Sequence, residues 1–308
     1  MVKRTIEIST EGMHVCVQDR QLLILPHGKK KSECDARNRV PAEDVGFVVV
    51  DQRDTTYSQS ALALMAGSGA VLVVCGDDHL PIGLLLPMAE HTEVVWRIDS
   101  QISAGRVVLK QMWAEIVEAK VRAQASLLTR NSTARDEIDS LSRRVRSGDP
   151  DNIEAQAARY YWPAMLGEDF RRTPGKPDGG VANVFLDYGY ALLRAAVART
   201  LVGAGLIPAI GIKHSNRSNA LCLADDLMEP LRPMVDRRVR SLMLQDRKTL
   251  DPSAKRGLLP LLSEAVRTSA GIGPLHVVLP RYISSFADRL TGGKTPLETP
   301  ELTEVPGL

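Results

Sequence analysis

The segment VANVFLDYGYALLRAAVARTLVGAGL, residues 181–206, is mostly apolar, with charges only at Asp187, Arg194 and Arg199. Its pattern predicts a long helix that stops near Gly203 and Gly205, the residue type favoured at helix C-termini. Upstream, GRVVLKQMWAEIVEAKVRAQASLL (105–128) places Val108, Met112, Ile116 and Val121 at roughly helical spacing. NIEAQAARYYWPAML, ADDLMEPLRPMVDRRVRSLML and KRGLLPLLSEAVRTSA predict further helices. Residues 99–290 therefore read as an all-α or nearly all-α domain.

The first part of the chain reads differently. RTIEIS, QLLILP, VGFVVV, AVLVVC and IGLLLP are short apolar or alternating runs separated by turn-rich pieces such as CDARNRVPAED and GDDHLP. No helix of normal length stands out between them, so residues 1–98 predict a small, mostly antiparallel β domain. The expected class is α+β: β domain first, larger helical domain second. The Pro-, Gly-, Thr- and Glu-rich end, residues 291–308, reads as a flexible tail.

The 308 residues carry a net charge of +2. That total hides 10 Lys/Arg against 13 Asp/Glu up to Arg97, and 29 against 24 beyond it. The later excess permits nucleic-acid binding without requiring it. No apolar run approaches the roughly 18–20 residues that span a bilayer, and the N-terminus lacks the apolar core of a signal peptide. Cys16, Cys34, Cys75 and Cys222 have no CxxC spacing and read as reduced thiols of a cytoplasmic protein. There is no GxxxxGK[ST], GxGxxG after a strand, or GxSxG, so nothing points to nucleotide hydrolysis.

The chemistry-bearing stretch is HSNRSNALCLADDLMEP, His214 to Pro230. On a helix, Asp225 or Asp226 would share a face with Glu229, where like charges repel. Two readings stand: solvated acids in a first helical turn, where the macrodipole favours them, or a divalent-metal site. His214, just after an apolar segment, is either a hydrogen-bonded structural histidine or a neutral ligand. Glu154 is the candidate third contributor. Asp149 or Asp151 could cap its helix, and Ala157 and Ala158 leave its face open to close approach by a second helix. One imidazole with two or three carboxylates suits Mg²⁺ or Mn²⁺. Arg159, Lys213, Arg217 and Arg232, with Arg237, Arg238 and Arg240 beyond, flank these residues as a nucleic-acid backbone would require.

These motifs resemble those of CRISPR-associated protein one, the endonuclease and integrase of CRISPR adaptation. The features that carry the resemblance are N-x-x-L-x-Y-G-Y-x-L-L from Asn183, G-L-x-P-x-x-G-I-x-H ending at His214, and A-D-D-L-M-E-P-x-R-P ending at Pro233. RTIEIS, CGDDHLPIGLLLP and LKQMWAEIVEAKVRAQASLL are similar to the type II branch. The resemblance implies metal ligands at Glu154, His214 and Glu229, with Asp226 as an extra ligand or as a support for one. It also implies a homodimer, a bridging dimer of CRISPR-associated protein two, and double-stranded DNA partners, prespacer and repeat. The type II effector nuclease is a further candidate partner. The implied reaction is attack of a 3′-hydroxyl on repeat phosphodiesters, which needs no ATP. A non-catalytic DNA-binding scaffold and a phosphohydrolase of small phosphates are the competing readings.

Overall fold

The computed structural model describes residues 3–88, 91–176 and 179–303. The chain divides into two compact units, Met1–Glu90 and His91–Leu308. The first contains β1 (Arg4–Ile8), β2 (Met13–Gln18), β3 (Gln21–Pro26), β4 (Arg39–Pro41), β5 (Val45–Val50), β6 (Thr56–Tyr57), α1 (Gln59–Gly67), β7 (Val71–Cys75) and β8 (Pro81–Leu85). They build two four-stranded sheets, ordered β1-β5-β7-β8 and β4-β3-β2-β6. Val15, Leu22 and Ile24 of one sheet share a core with Ile8, Val45, Val48, Val50 and Leu72 of the other.

The strand-rich character of this unit matches the sequence reading, but the antiparallel expectation does not hold for the first sheet. β5 runs parallel to both β1 and β7; only the β7–β8 hairpin is antiparallel. The crossover from β5 to β7 contains α1, which is short and easily read as loop. The Ser58 hydroxyl caps it by accepting from the Ala61 N–H, and Ala61 and Met65, one turn apart, enter the core. The continuous run VGFVVV, buried at every position, is the mark of an interior strand of a parallel sheet.

The second unit contains α2 (Val94–Ser103), α3 (Arg106–Ser126), α4 (Thr133–Ser142), α5 (Ile153–Leu166), α6 (Val181–Gly203), α7 (Cys222–Met228), α8 (Arg232–Leu244), α9 (Pro252–Leu258), β9 (Ala265–Thr268), β10 (Gly271–Pro274), α10 (Leu275–Leu290) and β11 (Glu301–Leu302). α6 is the buried axis, with Phe185, Leu186, Tyr188, Leu193, Val197 and Leu201 fully enclosed. A Cβ at Gly189 would collide with the Val235 side chain, so α6 and α8 meet over a missing side chain. Among the described residues, no helix is long and apolar enough to cross a membrane.

Two expectations are corrected here. The end of KRGLLPLLSEAVRTSA is strand β9, not helix; its β-branched Val266 and Thr268 pair with β10. The expected flexible tail is anchored as far as Thr303. Leu297 is buried, its N–H donates to Glu115 (2.8 Å), β11 pairs with β9, and Arg237 donates to the Thr303 carbonyl (3.0 Å). Among the described residues of this Pro-rich segment only Leu297 and Pro300 are buried, which hides the docking from a compositional reading. Residues 304–308 of that segment lie outside the described residues.

Candidate metal centre

Four elements of the helical unit meet at the predicted site. α5 brings Glu154 in its first turn. Of the two candidate caps it is Asp149 that accepts from the Ile153 N–H (2.8 Å) and the Glu154 N–H (3.3 Å). Asp151 instead pairs side-on with Arg146. Ala157 is fully buried, in keeping with a face open to close helix approach.

His214 lies on the turn between α6 and α7, its side chain half exposed. Its ring is fixed by Asp226, whose Oδ1 accepts from Nδ1 at 2.6 Å. The same carboxylate accepts from three successive backbone N–H groups, Ile212 (2.7 Å), Lys213 (3.0 Å) and His214 (3.2 Å). Asp226 is fully buried and its oxygens serve the turn, so it supports His214 and stands apart from the candidate ligands. Gly211 makes this approach feasible: a Cβ there would strike the His214 carbonyl and lie 2.8 Å from Asp226 Oδ2. With Nδ1 engaged, Nε2 is the nitrogen left for a ligand. The Asp226 hydrogen bond, working against burial, holds the imidazole pKa above its usual value. Trp113 of α3 packs edge-on against the ring, centroids 6.1 Å apart.

Glu229 begins the single 3-10 turn that links α7 to α8. The solvated-acid reading fails here, because Asp225, Asp226 and Glu229 are all buried. They also point to different partners. Asp225 pairs with Arg194 of α6 (2.7 Å) and accepts from Asn219 (2.6 Å). Glu229 Oε1 accepts from Arg232 Nε at 2.9 Å, and Oε2 from Lys120 Nζ at 2.5 Å. Lys120 Nζ also donates to Glu154 Oε1 at 2.6 Å. Two carboxylates from separate elements thus converge on one cationic nitrogen. Burial pushes the Glu229 carboxyl up, but Arg232, Lys120 and His214 outweigh it and hold it below the usual range. Burial pulls the Lys120 ammonium down, and Glu229 and Glu154 reverse that shift.

Among the described residues, no three His, Cys, Asp or Glu side chains form a ready-made metal cage. What the fold assembles is a cation-centred pair, Glu154 and Glu229, while His214 is held on its own turn by Asp226. The donor chemistry of the pair fits a divalent cation: two carboxylates meet where a positive charge already sits.

Lys120 is absent from the sequence reading, although a signal for it exists. Met112 and Ile116 are buried at four-residue spacing on α3, and Lys120 comes next in that series. A lysine on a buried stripe requires an acidic partner. Near it, the Asp236 carboxylate accepts from Tyr161 Oη at 2.8 Å and from the Tyr190 hydroxyl.

The flanking basic residues divide into two groups. Arg159, Lys213 and Arg217 are exposed, with Lys213 Nζ over the Trp113 ring at 5.8 Å. Arg232 is turned inward. Its side chain is 23% exposed, bound to Glu229 and stacked over the Tyr190 ring at 4.6 Å, so it serves as an internal counter-ion. Arg237 and Arg238 likewise face inward onto Glu264, drawn there by a partly buried carboxylate at the foot of β9.

This two-unit fold, with an acid-lined and base-flanked centre in its helical part, belongs to a known class. The profile of the family described as "CRISPR associated protein Cas1" matches residues 6–267. A CRISPR-associated endonuclease Cas1 from Neisseria meningitidis serogroup C (strain 8013) is 35% identical over 295 residues, covering 94% of this chain and 93% of that protein. Two solved structures share the fold. One, described as a casposase bound to integration product, superposes with a TM-score of 0.76 at 18% identity, covering 97% of this chain and 94% of that one. The other belongs to a Cas6-RT-Cas1–Cas2 complex, with a TM-score of 0.69 at 17% identity, covering 94% of this chain and 35% of that longer one. The chain is a member of the Cas1 family.

Proposed function

We propose that this protein is a divalent-metal-dependent DNA endonuclease and integrase that inserts short DNA fragments into a CRISPR array. The observation that carries this reading is the convergence of Glu154 and Glu229, from separate elements, on a single cationic point. Glu154, Glu229 and His214 Nε2 would hold Mg²⁺ or Mn²⁺. When bound, such an ion supplies Lewis-acid stabilisation of a phosphate and favours ionisation of a hydroxyl nucleophile. Asp226 keeps the imidazole oriented and Arg232 balances the charge of Glu229. Exposed Arg159, Lys213 and Arg217 are positioned to contact the DNA backbone.

The reaction is a transesterification. The 3′-hydroxyl oxygen of the fragment forms a new P–O bond as a bridging P–O bond of the repeat breaks. The departing 3′-oxygen ends with the proton that the attacking hydroxyl lost. One phosphodiester is made for each one broken, so no nucleotide hydrolysis is required. The family relationship, and the casposase and Cas2-containing relatives in fold, support a homodimer working with a Cas2 dimer on prespacer and repeat DNA, in the cytoplasm.

The test is an integration assay with the small partner, a supercoiled repeat plasmid and a prespacer, with and without Mg²⁺. Product should require Mg²⁺ and disappear in Glu154→Ala and His214→Ala with the fold retained. Full activity in both variants would refute the assignment. DNA binding without product under any metal would favour the scaffold reading.

A further inference from the structure

Glu154 and Glu229 are negative, Lys120 and Arg232 are positive, and the four side chains neutralise one another without any added ion. Of the two cations, Lys120 alone bridges both carboxylates, 2.6 Å from one and 2.5 Å from the other, with its side chain 13% exposed. Arg232 occupies only the opposite oxygen of Glu229 and is further held against Tyr190. A lysine is suited to exchange: a compact point charge on a stem of rotatable bonds, without the fixed fork of an arginine. Its backbone stays put, because Ile116, Val117 and Val121 anchor α3 in the core.

Resting on the metal-dependent reading above, we infer that the Lys120 ammonium is the resident cation of the metal-free site, and that a divalent ion enters by displacing it. The ammonium lies where the two carboxylates converge, so ion and ammonium are mutually exclusive there. Leaving both in place would press like charges together in a largely dry pocket, where Coulomb repulsion is weakly screened. Without the ammonium, two carboxylates from different elements would repel across the same gap. Lys120 therefore keeps the site assembled before metal arrives, and it lowers metal affinity by competing for the same oxygens.

The experiment is calorimetric titration of Mn²⁺ into metal-free full-length protein, paired with thermal melts with and without Mn²⁺. Lys120→Met should bind Mn²⁺ at least tenfold more tightly than wild type. It should also melt lower without metal and gain more from Mn²⁺, as ligand binding to the native state requires. Lys120→Arg, which retains a cation, should bind no tighter than wild type. If Lys120→Met does not stay soluble, Lys120→Gln carries the same expectation, since its neutral amide cannot compete as a cation. Wild-type or weaker affinity in the neutral variant, with clear Mn²⁺ binding by wild type, overturns the exchange while leaving the metal site standing. Absence of Mn²⁺ binding by both wild type and the neutral variant, or binding unchanged in Glu154→Ala, overturns the metal site and the exchange together.

Discussion

Asp226 Oδ1 lies 2.6 Å from His214 Nδ1, and the same carboxylate gathers the backbone N–H groups of Ile212, Lys213 and His214. One buried acid thus sets both the path of the turn and the rotation of the imidazole. An amide cannot do both, because its NH₂ end would face donors. Asp226→Asn should lower integration activity about 10- to 100-fold, the usual cost of losing a ligand's supporting partner. It should destabilise the fold by roughly 1–3 kcal/mol through unsatisfied donors. Strand-transfer rates and urea unfolding of the same preparation check the two effects.

Glu154 and Glu229 should differ in stability while agreeing in activity. Both are proposed ligands, so alanine at either should abolish product. Glu229 is buried against two cations; its loss strands Arg232 and leaves Lys120 only the more exposed Glu154. Glu229→Ala should therefore cost on the order of 3–5 kcal/mol, as when one partner of a buried ion pair is removed. Glu154 is more exposed and leaves Lys120 its second partner, so Glu154→Ala should cost roughly 1 kcal/mol or less. Equal unfolding midpoints for the two variants would contradict this difference in burial.

The arrangement was legible in the sequence to different depths. The length and apolarity of residues 181–206 foretold α6, and the strands of the first unit announced themselves as apolar runs. The parallel pairing did not, because α1 is nine residues long and its two core positions fall inside an Ala-rich piece. Within the proposed centre, Glu154, His214 and Glu229 are conspicuous in the sequence because acids and a histidine stand out in an apolar context. The inward pairing of Arg232 with Glu229 is not legible, because charge along a chain does not reveal which face of α8 it takes. Lys120 went unread because a lone lysine on a long helix normally reaches solvent, and only its register with Met112 and Ile116 says otherwise.

Asp236 gives a pH dependence that can be isolated. Burial pushes its carboxyl up to about 6, although Tyr190 and Tyr161 donate to it and pull the other way. The folded value thus lies above that of the unfolded chain, and folding takes up a proton between about pH 4 and 6. The contribution of this group to stability is fully present below about pH 4 and is lost as pH rises through about 6. Wild type minus Asp236→Asn, compared by thermal melting at pH 5 and pH 7.5, should show wild type losing stability relative to the variant at the higher pH. A difference independent of pH would mean that the carboxyl titrates normally despite its burial.

The contact of Gly189 with Val235 sets the spacing between α6 and α8, and so the position of Arg232 over the Tyr190 ring. Any Cβ at Gly189 meets the Val235 side chain inside a packed core. The helix propensity of alanine would favour Gly189→Ala by up to about 1 kcal/mol. Overpacking costs typically 1–3 kcal/mol and should win. Gly189→Ala should therefore be destabilised by a net amount of roughly 1 kcal/mol or more, and Gly189→Val by more. Val235→Ala removes the colliding methyl groups, at the cost of a cavity when made alone. In combination the two changes should couple favourably, with Gly189→Ala/Val235→Ala more stable than the sum of the single effects. Denaturant titrations of the four proteins measure that coupling. Simple additivity would show that α6 and α8 shift apart at no cost, and that their close approach does not fix the site.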